Sequence, residues 1–569
     1  MICFGKHTSA QYVNTNLSTN LIRLIKPSDT IRLAFALNWP SDWHLAATPR
    51  HQTQQAMFPE MLFQGELITG FNRGKLDWFG IPYFFYNTIG NTRPPNIDLN
   101  ELSNHWVRAV LETEIYPENS APNRAPHYLD VLNLAYYPEE RGAYNYDLEG
   151  VAGISAGIDS NGNLKVPESR WAGITRKIGY YYPNHYNKYN YDIGELVSLE
   201  FWLMDPFLYG LESEGNLYFN FGDISEDVMC DSLMFFEQGI QNPEYPGSNN
   251  QSVWGLIPRS STPVYYGFSD NENHREFQDA GLDGMRNELE VEFFSNYLAT
   301  IETLYGDTSV VYQKALTDPS TDDYHHFRGS DFDENPQYSS ILERFKRYNG
   351  MEGNSPTDQQ NPENYSTAST NSPDKEDVNG DNLLELEENY YQYKVHLAPE
   401  QMNLGQNYID DIRYSSINLP NGMGGECKWY HFKVQIESYD NVIGNPPHFD
   451  LCSYIRLFLK NFPEPIVLRF GTLELVRLVE NPKVLEYDII PNPADTYFRV
   501  IFHGFTERQI QVKLIDMLGR TIIPTITSEG NTNFRVDVSD LKPGLYLLAI
   551  ETSDIETFDF QKVSKIYIK

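Results

Sequence analysis

Val536-Asp537-Val538-Ser539-Asp540-Leu541-Lys542-Pro543-Gly544-Leu545-Tyr546 reads as the end of a strand, a turn and the start of another strand. Pro543 presets φ, and Gly544 tolerates the positive φ that many tight turns require. The apolar run Tyr546-Leu547-Leu548-Ala549-Ile550 then reads as a buried strand. The same pattern recurs upstream. Val512, Leu514 and Met517 lead into a Leu518-Gly519-Arg520 turn, and Ile490-Pro491-Asn492-Pro493-Ala494 opens the segment. Short strands at regular spacing predict a small antiparallel Ig-like β-sandwich over residues 487–569.

Moving outward from this tail, strand patterns dominate. Tyr390–Val395, Trp429–Val434, Tyr454–Leu459, Ile466–Phe470 and Thr472–Arg477 are apolar or alternating, separated by Pro, Gly and Asn. Leu199–Met204 and Asn216–Gly222 read as partners across a Glu/Gly/Ser loop, and Thr30–Leu37 as an earlier strand. The expected class is mainly β. The strand order resembles a carbohydrate-binding-module or galactose-binding jelly roll, so the expected body is a jelly-roll β-sandwich with some helices. Asn100–Ile115 and Val291–Tyr305 are the predicted helices. Residues 349–374, rich in Asn, Ser, Pro and Thr, read as a long surface connection. The expected segments are 1–42, 43–150 (α+β), 151–480 (the sandwich) and the tail at 487–569.

With 569 residues, several domains are expected. Aromatic residues make up 14%, which favours β-rich architecture. The net charge of −35 repels phosphate backbones and excludes nucleic acid as a partner. Cys3, Cys230, Cys427 and Cys452 are too scattered for a disulfide framework or a zinc site, and buried free thiols are expected. No run approaches the roughly 18 apolar residues of a spanning helix, nor do the strand patterns encode a membrane barrel. Met1–Gln11 lacks the apolar core of a secretory signal, so an upstream start or a truncated gene is expected.

The ordered tail blocks resemble the C-terminal sorting domain of type IX secretion cargo in Bacteroidetes-type bacteria. Longer-range landmarks lie in the body. They include Thr69-Gly70-Phe71-Asn72-Arg73, Leu102-Ser103-Asn104-His105-Trp106-Val107-Arg108 and Asn133-Leu134-Ala135-Tyr136-Tyr137-Pro138-Glu139-Glu140-Arg141-Gly142. Others are Glu200–Phe207, Asp322–Asp331, Gly405–Ile409 and Val467–Phe470. Over residues 43–477 these resemble the soluble part of the SprA (Sov) family, which supplies the outer-membrane translocon of type IX secretion and serves gliding motility. The family's membrane barrel is missing here, and the family lacks the sorting tail present here. The resemblance implies a secreted, non-enzymatic protein of the outer-membrane outer surface. Its expected partners are the translocon and associated outer-membrane proteins. The other reading is a surface module binding carbohydrate or protein.

Two acidic loops carry candidate chemistry. Asp377, Asn379, Asp381, Leu383, Glu385 and Glu388 occupy the 1, 3, 5, 7, 9 and 12 positions of an EF-hand-like Ca2+ loop, with Asn382 where Gly is usual. Asp279, Asp283, Asn287 and Glu290 form a second candidate Ca2+ loop around Gly284. An acidic surface turn is the alternative for each. Asp318, Asp322, Asp323, Asp331, Asp333 and Glu334 surround His325 and His326. They suggest calcium, a glycosidase-type carboxylate pair or a solvated loop. Gly153-Ile154-Ser155-Ala156-Gly157 matches a nucleophile pattern but is followed by turn residues rather than a helix. Tyr181, Tyr182 and Tyr186 lie in an aromatic run suited to stacking on a glycan or protein partner.

Overall fold

The computed structural model describes residues 30–87, 93–119, 126–178, 195–211, 213–237, 250–257, 280–348, 373–480, 486–503, 509–516, 521–529, 533–553 and 560–569. They fall into two compact units. The larger comprises Ala34–Pro183 and Leu196–Val476, and the other contains Arg477–Lys569.

In chain order the strands begin with β1 (Thr30–Ala36), β2 (His44–Leu45), β3 (Gly74–Phe79), β4 (Leu132–Arg141) and β5 (Trp171–Lys177). They continue with β6 (Glu195–Met204), β7 (Gly215–Asp223), β8 (Asn250–Gln251), β9 (Leu256–Ile257) and β10 (Asn389–Leu397). The larger unit closes with β11 (Ile409–Asn418), β12 (Gly424–Gln435), β13 (Asn441–Ile443), β14 (Tyr454–Lys460) and β15 (Ile466–Glu480). Two sheets dominate, ordered β11-β12-β6-β15-β4-β3 and β13-β10-β7-β14-β5-β2. Consecutive strands β4 and β5, β6 and β7, and β14 and β15 are each split between the two sheets. Residues 43–150 and 151–480 both supply strands to each sheet.

The two inner faces meet in one core. Leu134, Phe201, Phe432 and Phe470 from the first sheet join Ile174, Phe219, Val395 and Leu457 from the second. Phe432 lies opposite Phe201 in the ladder, and their rings stack with centroids 4.6 Å apart. The outer faces are covered too. On β14, Ile455, Leu457 and Leu459 face the main core, while Phe458 packs outward against Phe58, Trp171 and Tyr218. All seven residues of β14 are buried. That is why the strands read as apolar runs rather than clean alternations.

Burying both faces forces polar groups of the outer faces into pairs. Arg456 on β14 is fully buried and forks onto Glu388 at 2.9 and 2.8 Å, under the Tyr390 ring. Arg108 forks onto Glu114 at 2.8 and 2.7 Å. Arg170 meets Asp147 at 3.0 Å, and Arg344 meets Asp333 at 2.7 Å.

The Arg108 pair corrects a sequence expectation. The helix predicted over Asn100–Ile115 is a 3-10 turn at Glu101–Ser103 and a short helix at Glu112–Ile115. Arg469 donates to the carbonyls of His105 and Arg108, and Glu114 accepts from the Leu111 N–H. These bonds take the carbonyls and amides a continuous helix would need. The second predicted helix divides in two. Helix α1 (Asn287–Phe293) and helix α2 (Ser295–Tyr305) meet at Phe294, whose φ of −93° and ψ of 26° break the regular turn. Helix α3 (Val310–Thr317) follows, with the Ser309 hydroxyl accepting from the Tyr312 N–H as its cap.

The smaller unit pairs β16 (Glu486–Ile490), β17 (Tyr497–His503), β20 (Ile526–Ser528) and β21 (Asn533–Asp537) in the order β16-β17-β21-β20. Its other sheet is β19-β18-β22-β23, from β18 (Gln509–Asp516), β19 (Thr521–Ile522), β22 (Gly544–Ser553) and β23 (Phe560–Ile568). Phe498, Val500, Val512, Leu514, Val536, Leu548 and Ile566 fill the space between them. The Tyr546 hydroxyl closes the 541–544 turn by donating to the Lys542 carbonyl at 2.9 Å. This is the small sandwich expected from the tail sequence.

Two stability predictions follow from the buried charges. Arg456→Met strands Glu388 in the interior and lowers unfolding free energy by about 3–5 kcal/mol, and adding Glu388→Gln recovers part of the loss; urea denaturation of the three proteins measures both. Asp77 on β3 is fully buried, with Lys75 Nζ 3.4 Å away, and burial pushes its pKa from 3.8 up to about 7. A carboxyl whose pKa is raised in the folded state costs nothing below about pH 4, where both states are protonated; stability then falls as the pH rises from about 4 to 7, where the unfolded chain ionises and the folded one does not, and levels off above 7. Asp77→Asn therefore gains stability over the parent as the pH rises from 4 to 7, by an amount on the order of 4 kcal/mol over that window. A difference between the two proteins that stays flat with pH contradicts this.

Candidate functional site

Three acidic side chains, drawn from two separate stretches of chain, converge in the larger unit. Asp283 sits in a turn after Gly281, Glu290 on α1, and Asp322 in the loop that follows α3. One carboxylate oxygen from each lies within 4.8 Å of the other two, and all three residues are buried. Gly281 makes the approach possible. Its φ is +84°, and a Cβ there would come within 2.2 Å of Asp322 Oδ2.

Ser320 is the hub of the surrounding hydrogen bonds. Its hydroxyl donates to Asp283 Oδ2 at 2.7 Å and accepts from the Tyr146 hydroxyl at 2.9 Å. Its N–H donates to Glu290 Oε2 at 2.9 Å, and its carbonyl accepts from the Tyr144 N–H. Asp283 Oδ1 accepts from the Met285 N–H at 2.9 Å. Asp322 Oδ2 is enclosed without a hydrogen-bond partner. Asp318 stands behind the group and accepts from the Asp322 N–H at 3.2 Å.

Burial and mutual repulsion act together here. Burial, then the neighbouring Asp318 and Asp323 charges, push Asp283 up to about 8. Burial followed by the Asp283 charge holds both Glu290 and Asp322 well above the carboxylate range. Asp318 is pushed up to about 6, again mainly by burial. The ions of the described residues do not relieve this: no arginine or lysine forms an ion pair with Asp283, Glu290 or Asp322. Of the second predicted loop, Asp283 and Glu290 thus meet. Asn287 turns its amide nitrogen to Asp323 Oδ2 at 2.7 Å, and Asp279 lies outside the described residues. Sequence reading placed Asp322 in the separate acidic cluster around the histidines and missed Ser320, because no periodicity links Asp322 to positions more than 30 residues away.

The first predicted loop is a compact turn. Asp377 Oδ1 accepts from the N–H groups of Gly380 and Asp381, and its Oδ2 from Asn382. Asn382 takes a φ of 66°, as the sixth position of such a loop requires. Asp381 Oδ1 accepts from the Leu383 N–H at 2.8 Å. Glu385 faces the Tyr454 hydroxyl at 3.3 Å, which also contacts Glu226 at 3.0 Å and accepts from Asn379 Nδ2 at 2.7 Å. Burial and the neighbouring Glu385 carboxyl together push Glu226 up to about 9. Glu388 is committed to Arg456 rather than to the loop centre.

The remaining candidates scatter. Asp331 meets His325 at 3.0 Å, while Asp333 pairs with Arg328 and Arg344. The six acidic residues around the histidines therefore divide between separate networks. Ser155 closes a turn, its hydroxyl accepting from the Val151 N–H at 3.2 Å. Cys230, Cys427 and Cys452 are buried free thiols. Tyr181, Tyr182 and Tyr186 lie outside the described residues.

Comparison with known families finds two matches along the chain. A family described as motility related/secretion protein, of SprA N-terminal type, matches residues 296–490. A secretion system C-terminal sorting domain matches residues 488–566, which span the small sandwich. The tail is similar to the sorting domains of type IX secretion, and the residues before it are similar to a SprA N-terminal segment. No curated protein matches it. No helix among the described residues is long and apolar enough to cross a membrane.

Tyr454→Phe removes the hydroxyl shared by Glu226, Glu385 and Asn379. Loss of these buried hydrogen bonds lowers the unfolding free energy by about 1–3 kcal/mol, measured by chemical denaturation.

Proposed function

We propose that this chain is a non-enzymatic accessory of type IX secretion and gliding motility, exported to the outer face of the outer membrane, where its sandwich acts by binding. The observation that carries this reading is the fusion itself. A SprA-type body belongs to secretion machinery, and the sorting domain beside it marks the same chain as cargo. The fold supports a binding role. Its central strands are buried on both faces, and its buried charges serve packing. Asp333, Glu388, Asp147 and Glu114 are each paired to an arginine and are not free for acid–base work. The partners proposed are the translocon and its associated outer-membrane proteins.

The experiment expresses the full chain, and the chain lacking residues 488–569, in a type IX-competent bacterium. Intact protein becomes accessible to external protease, and the shortened protein is retained inside the outer membrane. Cross-linking on the surface then recovers translocon components with the intact chain. Surface display without any such component defeats the accessory role, and capture by an immobilised glycan instead favours a carbohydrate-binding module.

A further inference from the structure

We propose that Asp283, Glu290 and Asp322 form a binding site for one hard divalent cation of the calcium class. Two independent observations meet here. Three carboxylate oxygens converge within 4.8 Å of one another in the interior. In addition, Asp322 is only 2% exposed, and its Oδ2 has no hydrogen-bond partner. An enclosed carboxylate oxygen without a donor is costly, and a cation is the one ligand that satisfies it and its neighbours together.

The contrast within the molecule sharpens the point. Several other buried carboxylates meet a guanidinium, as Asp147 does Arg170, Glu114 Arg108 and Glu388 Arg456, and Glu376 and Glu237 are held by backbone N–H groups. Arg141, the nearby guanidinium, instead donates to the carbonyls of Asn145 and Pro319. The donor set is all oxygen, with no imidazole or thiolate, which suits calcium, magnesium or manganese and not zinc or copper. Ser320 and Met285 hold Asp283 in place, and Ser320 holds Glu290. The site is therefore oriented by the same bonds that tie the 318–323 loop to Tyr144 and Tyr146. A bound cation clamps the turn at 280–286, α1 and the loop after α3 into one piece. The loop at 377–388 is not part of this site.

The test uses the full chain, stripped with EDTA and then given calcium alone at about 5 mM, above the range of weak extracellular sites. Calcium raises the melting temperature of the parent by several degrees, as any ligand of the folded state must. Asp322→Asn loses most of that rise, and in EDTA it melts at or above the parent, because a buried carboxyl without a hydrogen-bond partner is replaced by a neutral amide. Asp381→Asn, in the other loop, keeps the rise. Equilibrium dialysis with radioactive calcium counts one ion fewer on Glu290→Gln than on the parent, which covers the case in which Asp322→Asn does not fold. The proposal is overturned by equal parent melting temperatures in EDTA and calcium, by a full rise retained in Asp322→Asn, or by equal ion counts on parent and Glu290→Gln.

Discussion

The larger unit depends on the pairing of charges at the outer faces of its two sheets. A two-sheet sandwich needs one buried face per sheet, yet here loops and short helices cover the second face as well. Phe458 and Tyr218 stack 4.6 Å apart on that outer side, with Phe58 and Trp171 over them. Strand positions that would ordinarily meet water therefore lie in the interior. Arg456, Asn220 and Gln392 occupy such positions and are fully buried. Each needs a partner, because an unpaired charge or amide there costs more than its packing returns. Covering loops supply Glu388 for Arg456 and Gln54 for Gln392, and Gln392 in turn donates to Asn220, so loop and sheet are fixed to each other by the same bonds.

Much of this was legible in the sequence, and the limits have a physical cause. The strands at 199–204, 216–222, 390–395, 429–434, 454–459 and 466–477 stood out as apolar runs, and they are the centre of both sheets. The tail sandwich was legible from turn chemistry and spacing alone. The helix over Asn100–Ile115 was not, because its apolar spacing is real but Arg469, far along the chain, takes its carbonyls. The same limit applies to the candidate site. Loop spacing pointed to Asp283 and Glu290, but the partner Asp322 arrives through the turn after α3, and only the fold brings it near.

The charge of −35 acquires a second meaning in this light. It read as a field that repels phosphate backbones, and part of it is structural acceptor capacity. Glu376 is fully buried, and its two oxygens accept from the N–H groups of Met229 and Phe235. Glu237 accepts from Ala280, Gly281 and Asp374. Asp227 accepts from Asp231 and Ser232 while pairing with Arg50. Irregular backbone buried beside a sheet has N–H groups that no ladder satisfies, and a carboxylate can accept two or more of them. A chain with long covering loops needs such residues.

The boundary between body and tail follows from hydrogen bonding rather than from family limits. The SprA-type match runs to residue 490 and the sorting-domain match starts at 488. Strand β16, Glu486–Ile490, lies across that overlap. Its ladder partner is β17, with Ile490 opposite Arg499 and Glu486 opposite His503. A strand is committed to the sheet that satisfies its backbone, so β16 belongs to the tail, and the SprA-type structure ends before Glu486. The core of the tail is drawn wholly from residues 494–568, with Ile489 packed at its margin. Among the described residues the tail thus has two sheets and a core of its own, which is what a sorting domain needs to fold as a module.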